Sequence, residues 1–328
     1  MRVIGVDLGG TKVQSVVVDG DVLAHTSTGG DVDPAALVLA EDRRPTPRGE
    51  GRDGVLDAVI ASVEVLGLRD VAAVGVGVPG PVDSVRGRVL RAPNLAGFDV
   101  AVDVGPLLRE RLGVDVLVDN DVNVAVLGEH RLGAARNCDD VLGVWCGTGI
   151  GGGLVLGGEL RRGPHGYAGE LGHMVVKIDG RKPPEGIEGS LEAYAGRASM
   201  EGRARKRIAA GHKSKLLEIA DAKDKDHFTS SVFRKAVKEG DRLAVELIDG
   251  AVEGLGAGIA SAVNLLDLER VVLGGGVADS FGEDFVDRVG REMRRSLIVP
   301  ESAPAVVAAS LGDYGGALGS AALALASL

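Results

Sequence analysis

Apolar positions along the chain fall into short runs interrupted by glycine and acidic residues. Residues 2–8 (RVIGVDL), 13–18 (VQSVVV) and 22–26 (VLAHT) are such runs, which predicts three adjacent strands joined by tight turns. Residues 40–54 (AEDRRPTPRGEGRDG) combine many charges with two prolines and three glycines, and read as a surface loop before a helix over about 55–66. Val71–Val78 is continuously apolar, the pattern of a strand buried on both faces. Val114–Val118 predicts a second such strand that ends at Asp119-Asn120-Asp121. Residues 122–132 then show helical spacing behind an Asn or Asp cap. Polar side chains therefore stand at the carboxyl end of a strand.

The pattern then starts again. Residues 141–146 (VLGVWC) and 153–156 (GLVL) flank a glycine-rich turn as the opening strands do, which suggests two related halves. A charged segment over about 197–242 holds Arg203, Arg205, Lys206 and Arg207, and reads as a solvated helical face in preference to an anion-binding patch. Ala251–Asp267 predicts a buried helix, Val271–Leu273 a strand, Val286–Ser296 a helix and Tyr314–Ser327 an Ala-rich closing helix. Alternating strands and helices of this kind indicate an α/β protein.

Length and composition narrow the picture. A chain of 328 residues, 45% apolar and 26% charged with 12 prolines, suits a folded protein of two domains. Its 51 glycines are roughly twice the usual ~7% and follow no Gly-X-Y period, so collagen is excluded and glycine-dependent turns are expected. The formal charge of −10 repels a phosphate backbone and disfavours nucleic acid as a partner. Cys138 and Cys146 are too few for a disulfide framework and fit a reducing cytoplasm. The start lacks the apolar core of a signal peptide, and the most apolar stretches, 251–268 and 314–328, do not read as membrane spans.

Candidate chemistry lies in three glycine loops, each following an apolar strand: Asp7-Leu8-Gly9-Gly10-Thr11-Lys12, Gly147-Thr148-Gly149-Ile150-Gly151-Gly152-Gly153 and Gly274-Gly275-Gly276. Glycine lets backbone amides approach an anion, and Thr adds a hydroxyl donor. A tight hairpin explains one such loop equally well, but not three after strands. None fits the P-loop or the dinucleotide fingerprint. A nucleotide held between two lobes is the expected ligand.

These loops belong to an ordered set: DLGGTK, VPGPVD (78–83), PNLAGF (93–98), DNDVNVAVLGEH (119–130), CGTGIGGG (146–153), GELGH (169–173), EAYAGR (192–197) and LGGGV (273–277). The set resembles the ROK family of sugar kinases and repressors, above all bacterial glucokinases, from the first strand to the last helix. The resemblance implies an α/β fold of two actin-like, ribonuclease H-like lobes, one over 1–118 with a helix at about 312–328 packed back on it, the other over 119–311. It also implies ATP with Mg²⁺, a hexose substrate and a homodimer or higher homo-oligomer. Asp121 looks like the catalytic base, and phosphoryl transfer to an alcohol does need a carboxylate within hydrogen-bonding reach of the hydroxyl. Gly80, Asn94, Asn120, Glu170, His173 and Glu192 are expected at the sugar. Gly9, Gly10, Thr11, Lys12, Gly147, Thr148 and Gly149 are expected at the phosphates, and Gly274, Gly275 and Gly276 at the adenosine. Asp7 either positions Mg²⁺ through water or caps its hairpin turn.

One stretch departs from the family pattern. Where members commonly carry a Cys-x-Cys-Gly-x-x-Gly-Cys zinc loop, this chain has Pro183-Pro184-Glu185-Gly186-Ile187-Glu188-Gly189-Ser190. Zinc prefers four tight N or S ligands, so no structural zinc is expected, and Pro183 and Pro184 are expected to stiffen the loop that holds Glu192. ATP-dependent glucose phosphorylation at the 6-hydroxyl leads the functional expectations; polyphosphate as donor is disfavoured by the −10 charge, which the Arg203–Arg207 cluster only partly offsets. Alternatives are a kinase for another hexose or an N-acetylhexosamine, and a non-catalytic sugar sensor. A repressor needs a helix-turn-helix before the core, and the first strand is expected from residue 2.

Overall fold

The computed structural model describes residues 1–26, 33–47, 49–183 and 186–328. In chain order it begins with β1 (Arg2–Leu8), β2 (Lys12–Asp19), α1 (Gly20–Thr26), β3 (Val38–Pro45), α2 (Gly51–Leu66) and β4 (Val71–Val78). The two-residue strands β5 (Val82–Asp83) and β6 (Arg88–Val89), α3 (Val104–Leu112), β7 (Asp115–Asn120) and α4 (Asp121–Leu132) follow. Next come β8 (Val141–Cys146), β9 (Ile150–Leu156), β10 (Glu159–Arg161), α5 (Leu191–Ala195), α6 (Arg197–Ala209), α7 (Leu216–Asp221), α8 (Ser230–Lys238) and α9 (Arg242–Leu266). The chain closes with β11 (Arg270–Gly274), α10 (Gly275–Phe281), α11 (Glu283–Arg294), β12 (Ala305–Ala308) and α12 (Gly315–Leu325). It divides into two compact units: Met1–Asp139 with Gly153–Ala168 and Ala309–Leu328, and Asp140–Gly152 with Gly169–Ala308.

Two five-stranded sheets have the orders β3-β2-β1-β4-β7 and β10-β9-β8-β11-β12. In the first, β1 pairs antiparallel with β2 and parallel with β4, and β4 pairs parallel with β7. In the second, β11 pairs parallel with both β8 and β12, and β9 pairs antiparallel with β10. The orders correspond strand for strand, so the repetition seen at the glycine turns extends to topology.

Strand alternation decides the first unit's core. Ile4, Val6, Leu8, Val74, Val76 and Val78 face one layer with α2 and α3, while Val3 and Ala73 face the other with α4 and α12. On that second face Gly5 and Gly75 let α12 lie directly on the sheet: a Cβ at either would stand 1.9 Å from a carbonyl oxygen, of Ala317 and Ser320 respectively. Eighteen described glycines have positive φ. Positive-φ turns thus account for only about a third of the 51 glycines, and close helix–sheet packing is a second cause that composition does not show.

The opening strands differ from the pattern reading in one place. Residues 20–26 form α1, whose first amides, of Asp21 and Val22, donate to Asp19 Oδ1 at 2.9 and 3.4 Å. The third strand is instead β3, which overlaps the start of the segment read as a loop; it pairs antiparallel with β2 at the sheet edge. An edge strand tolerates charges and a terminal proline because one side of its backbone is unpaired, which removes the apolar alternation that marks a strand.

Candidate active site

In the first unit the strands β1, β4 and β7 end together. Asp7 and Asn120 lie at corresponding ends of β1 and β7, on either side of β4, and the Asp121 side chain follows at the first residue of α4. Asn120 is the N-cap: its Oδ1 accepts from the amides of Val122 (2.9 Å) and Asn123 (3.1 Å). Its Nδ2 donates to Gly80 O and to Asp121 Oδ1, both at 3.0 Å. All four hydrogen-bonding positions of this amide are thus used within the protein, and a sugar hydroxyl would have to displace one of them. Gly80 is needed at its position, since φ is +88° and a Cβ there would stand 2.1 Å from Arg91 O.

Burial pushes the Asp121 carboxyl up to about 6, and the negative charge of Asp7 adds to the effect against opposing hydrogen bonds from the backbone and Asn120. Burial also raises Asp7, with Lys12 opposing. The charge of half-buried Asp7 thus disfavours ionisation of Asp121, and a divalent cation at this hard oxygen donor would offset it, so Asp7 fits Mg²⁺ held directly or through water. Beside them the first glycine loop is closed by Gly9 N donating to Lys12 O at 2.9 Å, and Thr46 Oγ1 donates to Gly9 O at 2.6 Å. Gly10 lies against the exposed turn that carries Asn94, where a Cβ would be 3.1 Å from Asn94 O. The first unit therefore brings together Asp7, Gly9, Gly10, Thr11, Lys12, Gly80, Asn94, Asn120 and Asp121.

The second unit gathers the others around the start of β9. Ile150 N donates to Glu192 Oε2 at 2.9 Å, and a Cβ on Gly149 would fall 2.1 Å from the same oxygen. Glu192 is thus an anchor of the Gly147–Gly149 loop, a role that spacing did not indicate. Gly172 packs on Ile150 O, so the short 3-10 turn Leu171–His173 sits on the same strand. It presents Glu170 and His173, both partly exposed, with His173 Nε2 3.8 Å from Glu170 Oε2. Gly275, at φ +85°, lies against the Cys146 backbone, which places Gly274–Gly276 beside the strand that feeds the Gly147 loop. Arg197, not singled out from sequence, donates through Nη2 to Thr148 Oγ1 at 2.9 Å and through Nη1 to Phe228 O at 3.1 Å. The amides of Arg197 and Ala198, which open α6, donate to the carbonyls of Gly147 and Thr148.

The stretch lacking cysteines is held by protein contacts. Val176 N and Lys177 N donate to Gly189 O, Gly189 N donates to Arg181 O, and Ser190 caps α5 by accepting from Ala193 N. The Arg181 guanidinium also stacks 4.5 Å over Tyr194. Pro184 and Glu185, and with them the stiffening expected of the proline pair, lie outside the described residues. Among the described residues no group of three or more His, Cys, Asp or Glu side chains could hold a metal ion, and no helix is long and apolar enough to cross a membrane. The basic run of α6 is engaged internally: Arg203 donates to Tyr194 O, Arg205 pairs with Glu201 and stacks on Phe228, and Arg207 pairs with Glu246.

Comparison with known proteins agrees with this arrangement. The sequence pattern described as the ROK family is matched by residues 3–327. A glucokinase of Streptomyces coelicolor is 31% identical over 327 residues, which is 98% of this chain and 96% of that protein. The crystal structure of a ROK hexokinase from Thermus thermophilus superposes with a TM-score of 0.78 at 34% identity, covering 100% of this chain and 99% of that one. A ROK family glucokinase from Streptomyces griseus, crystallised with glucose and AMPPNP, gives a TM-score of 0.78 at 35% identity and 99% coverage of both chains. These neighbours share the actin-like ATPase fold, which is therefore the fold of this chain.

Proposed function

Because the chain belongs to the ROK family over nearly its whole length, we propose that it is an ATP-dependent hexose kinase, with glucose phosphorylated at its 6-hydroxyl. The observation that carries the reading is Asp121: a carboxylate at a strand–helix junction, held by Asn120 and raised to about 6, close to the pH at which a general base works best. At neutral pH most of it is ionised and can accept the hydroxyl proton as the γ-phosphoryl departs from ADP. Phosphoryl transfer of this kind passes through a loose transition state, so most catalysis is positioning and charge stabilisation.

In the first unit, Asn94 and the Asn120–Gly80 pair would orient sugar hydroxyls, and Gly9, Gly10, Thr11 and Lys12 would meet phosphate oxygens. In the second, Glu170, His173 and Glu192 supply donors and acceptors suited to hydroxyls, and Gly147–Gly149 and Gly274–Gly276 form the nucleotide-binding backbone. Asp7 would hold Mg²⁺, directly or through water, leaving Asp121 free to accept the proton; the metal would supply charge neutralisation of the phosphates. A cytoplasmic homodimer is part of the same reading. A coupled ADP-release assay across glucose, mannose, fructose, N-acetylglucosamine and N-acetylmannosamine, run with ATP and with polyphosphate, tests it. Turnover strongest with glucose and ATP is expected. No turnover with any sugar, while a sugar still raises the melting temperature, would replace the kinase by a sensor.

A further inference from the structure

Asp119 and Arg162 have no part in the roles above. Asp119 lies in β7, one residue before Asn120, and is only 1% exposed. A buried carboxylate needs compensation by charge and hydrogen bonds, and this one receives both. Its Oδ2 accepts from Arg162 Nε at 2.5 Å. Its Oδ1 accepts from Asn120 N at 2.8 Å and from Asn123 Nδ2 at 3.0 Å. Asn123 Oδ1 is buried with no hydrogen-bond partner among the described residues, so its amide group is held from the Asp119 side.

The two donors to Oδ1 bracket Asp121, one residue before it and two after it. Asn120 also passes the constraint on directly, through the Nδ2 bond to Asp121 Oδ1. Arg162 itself comes from a distant part of the chain, immediately after β10, and its carbonyl accepts from Ala168 N at 3.1 Å to close the 162–168 loop. Its side chain is 33% exposed, on the wall of a cleft of about 560 Å³ also lined by Asp83, Arg86, His165 and Tyr167. One guanidinium thus joins this loop to the strand end that bears the proposed base.

We infer that Arg162 is a positioning residue for phosphoryl transfer, acting through Asp119 to fix the Asn120–Asp121 junction. The inference rests on Asp121 being the base and Asn120 a sugar-orienting group. An arginine suits the task because its planar fork keeps a fixed direction as it donates, whereas a lysine ammonium supplies charge without that geometry.

A double-mutant cycle with Arg162→Met, Arg162→Lys, Asp119→Asn and Asp119→Asn/Arg162→Met tests it. Arg162→Met is expected to lower kcat at least tenfold with KM for ATP within twofold of wild type, and Arg162→Lys to recover part of the loss. In the Asp119→Asn background the Arg162→Met change should cost less than threefold. If Arg162→Met leaves its buried carboxylate too costly for folding, the double variant, which buries no unpaired charge, still completes the comparison with Asp119→Asn. Equal losses in both backgrounds, or a kcat for Arg162→Met within twofold of wild type, would overturn the inference. Should wild type phosphorylate no hexose, the kinase reading falls and the same cycle is followed by calorimetric glucose binding. There, weaker binding in Arg162→Met that Arg162→Lys recovers supports the linkage, and unchanged binding overturns it.

Discussion

Replacing Asp121 by Asn should make the protein slower and more stable at once, with a stability gain whose size depends on pH. The structure raises this carboxyl from 3.8 to about 6 in the folded state. Between about pH 4 and 6 the folded protein retains a proton that the unfolded chain has released, so wild-type stability falls as pH rises through that window and is level above it. A shift of that size corresponds to about 3 kcal/mol at most, and partial solvation of the side chain brings the expected loss to about 1–3 kcal/mol. Asparagine keeps the oxygen that accepts from Asn120 Nδ2 and Val122 N but cannot ionise, so it escapes the loss. Denaturant titrations at pH 4, 6 and 8 should show the variant matching wild type at pH 4 and exceeding it by about 1–3 kcal/mol at pH 8, with an unchanged m value. In the same variant kcat should fall ~10²–10⁴-fold, as loss of a general base does. Wild-type kcat should rise with pH up to about 6 and then level, a limb that the variant lacks. A variant less stable than wild type at pH 8, or a difference that does not change with pH, would refute the account of Asp121 as a carboxylate destabilised by burial and by Asp7.

Further outcomes follow from the same geometry. Glu192→Gln should raise hexose KM about ten- to a hundredfold, the cost of roughly 1–3 kcal/mol for an unpaired polar group; because Glu192 also accepts from Ile150 N, KM for ATP should rise as well, by a smaller factor. Gly75→Ala should abolish soluble folded protein or lower the melting temperature by more than ten degrees, since its Cβ would overlap Ser320 O. Glu129→Ala should cost about 3 kcal/mol in chemical denaturation, because this buried carboxylate accepts from the amides of Ala134, Ser310 and Leu311 and from Ser310 Oγ. Elemental analysis of dialysed protein should find less than about 0.1 zinc per chain, as expected of a loop without thiolate ligands.

The sequence alone determined the buried strands Val71–Val78 and Val114–Val118, the polar cluster at the end of the second, and the three glycine loops. Each is a local signal: a continuous apolar run marks burial on both faces, and glycine marks backbone approach wherever it sits. The ordered motifs likewise carried the family and its fold. The edge strand β3 escaped because periodicity reports contact with a core, and an edge strand rich in Arg, Asp and Pro has little of it.

What only the tertiary structure decided is which polar groups satisfy one another. Asp119 and Arg162 are 43 residues apart, Ile150 and Glu192 42, Thr148 and Arg197 49, and Glu129 and Ser310 181. No spacing rule reaches across such distances, because a buried charge selects its partner by the direction and depth at which two elements meet. The same holds for Gly5 and Gly75, whose missing side chains matter only because α12 lies directly against them. Sequence singled out candidate groups; the fold fixed their orientation, because a buried hydrogen bond depends on distance and angle, which composition and periodicity do not encode.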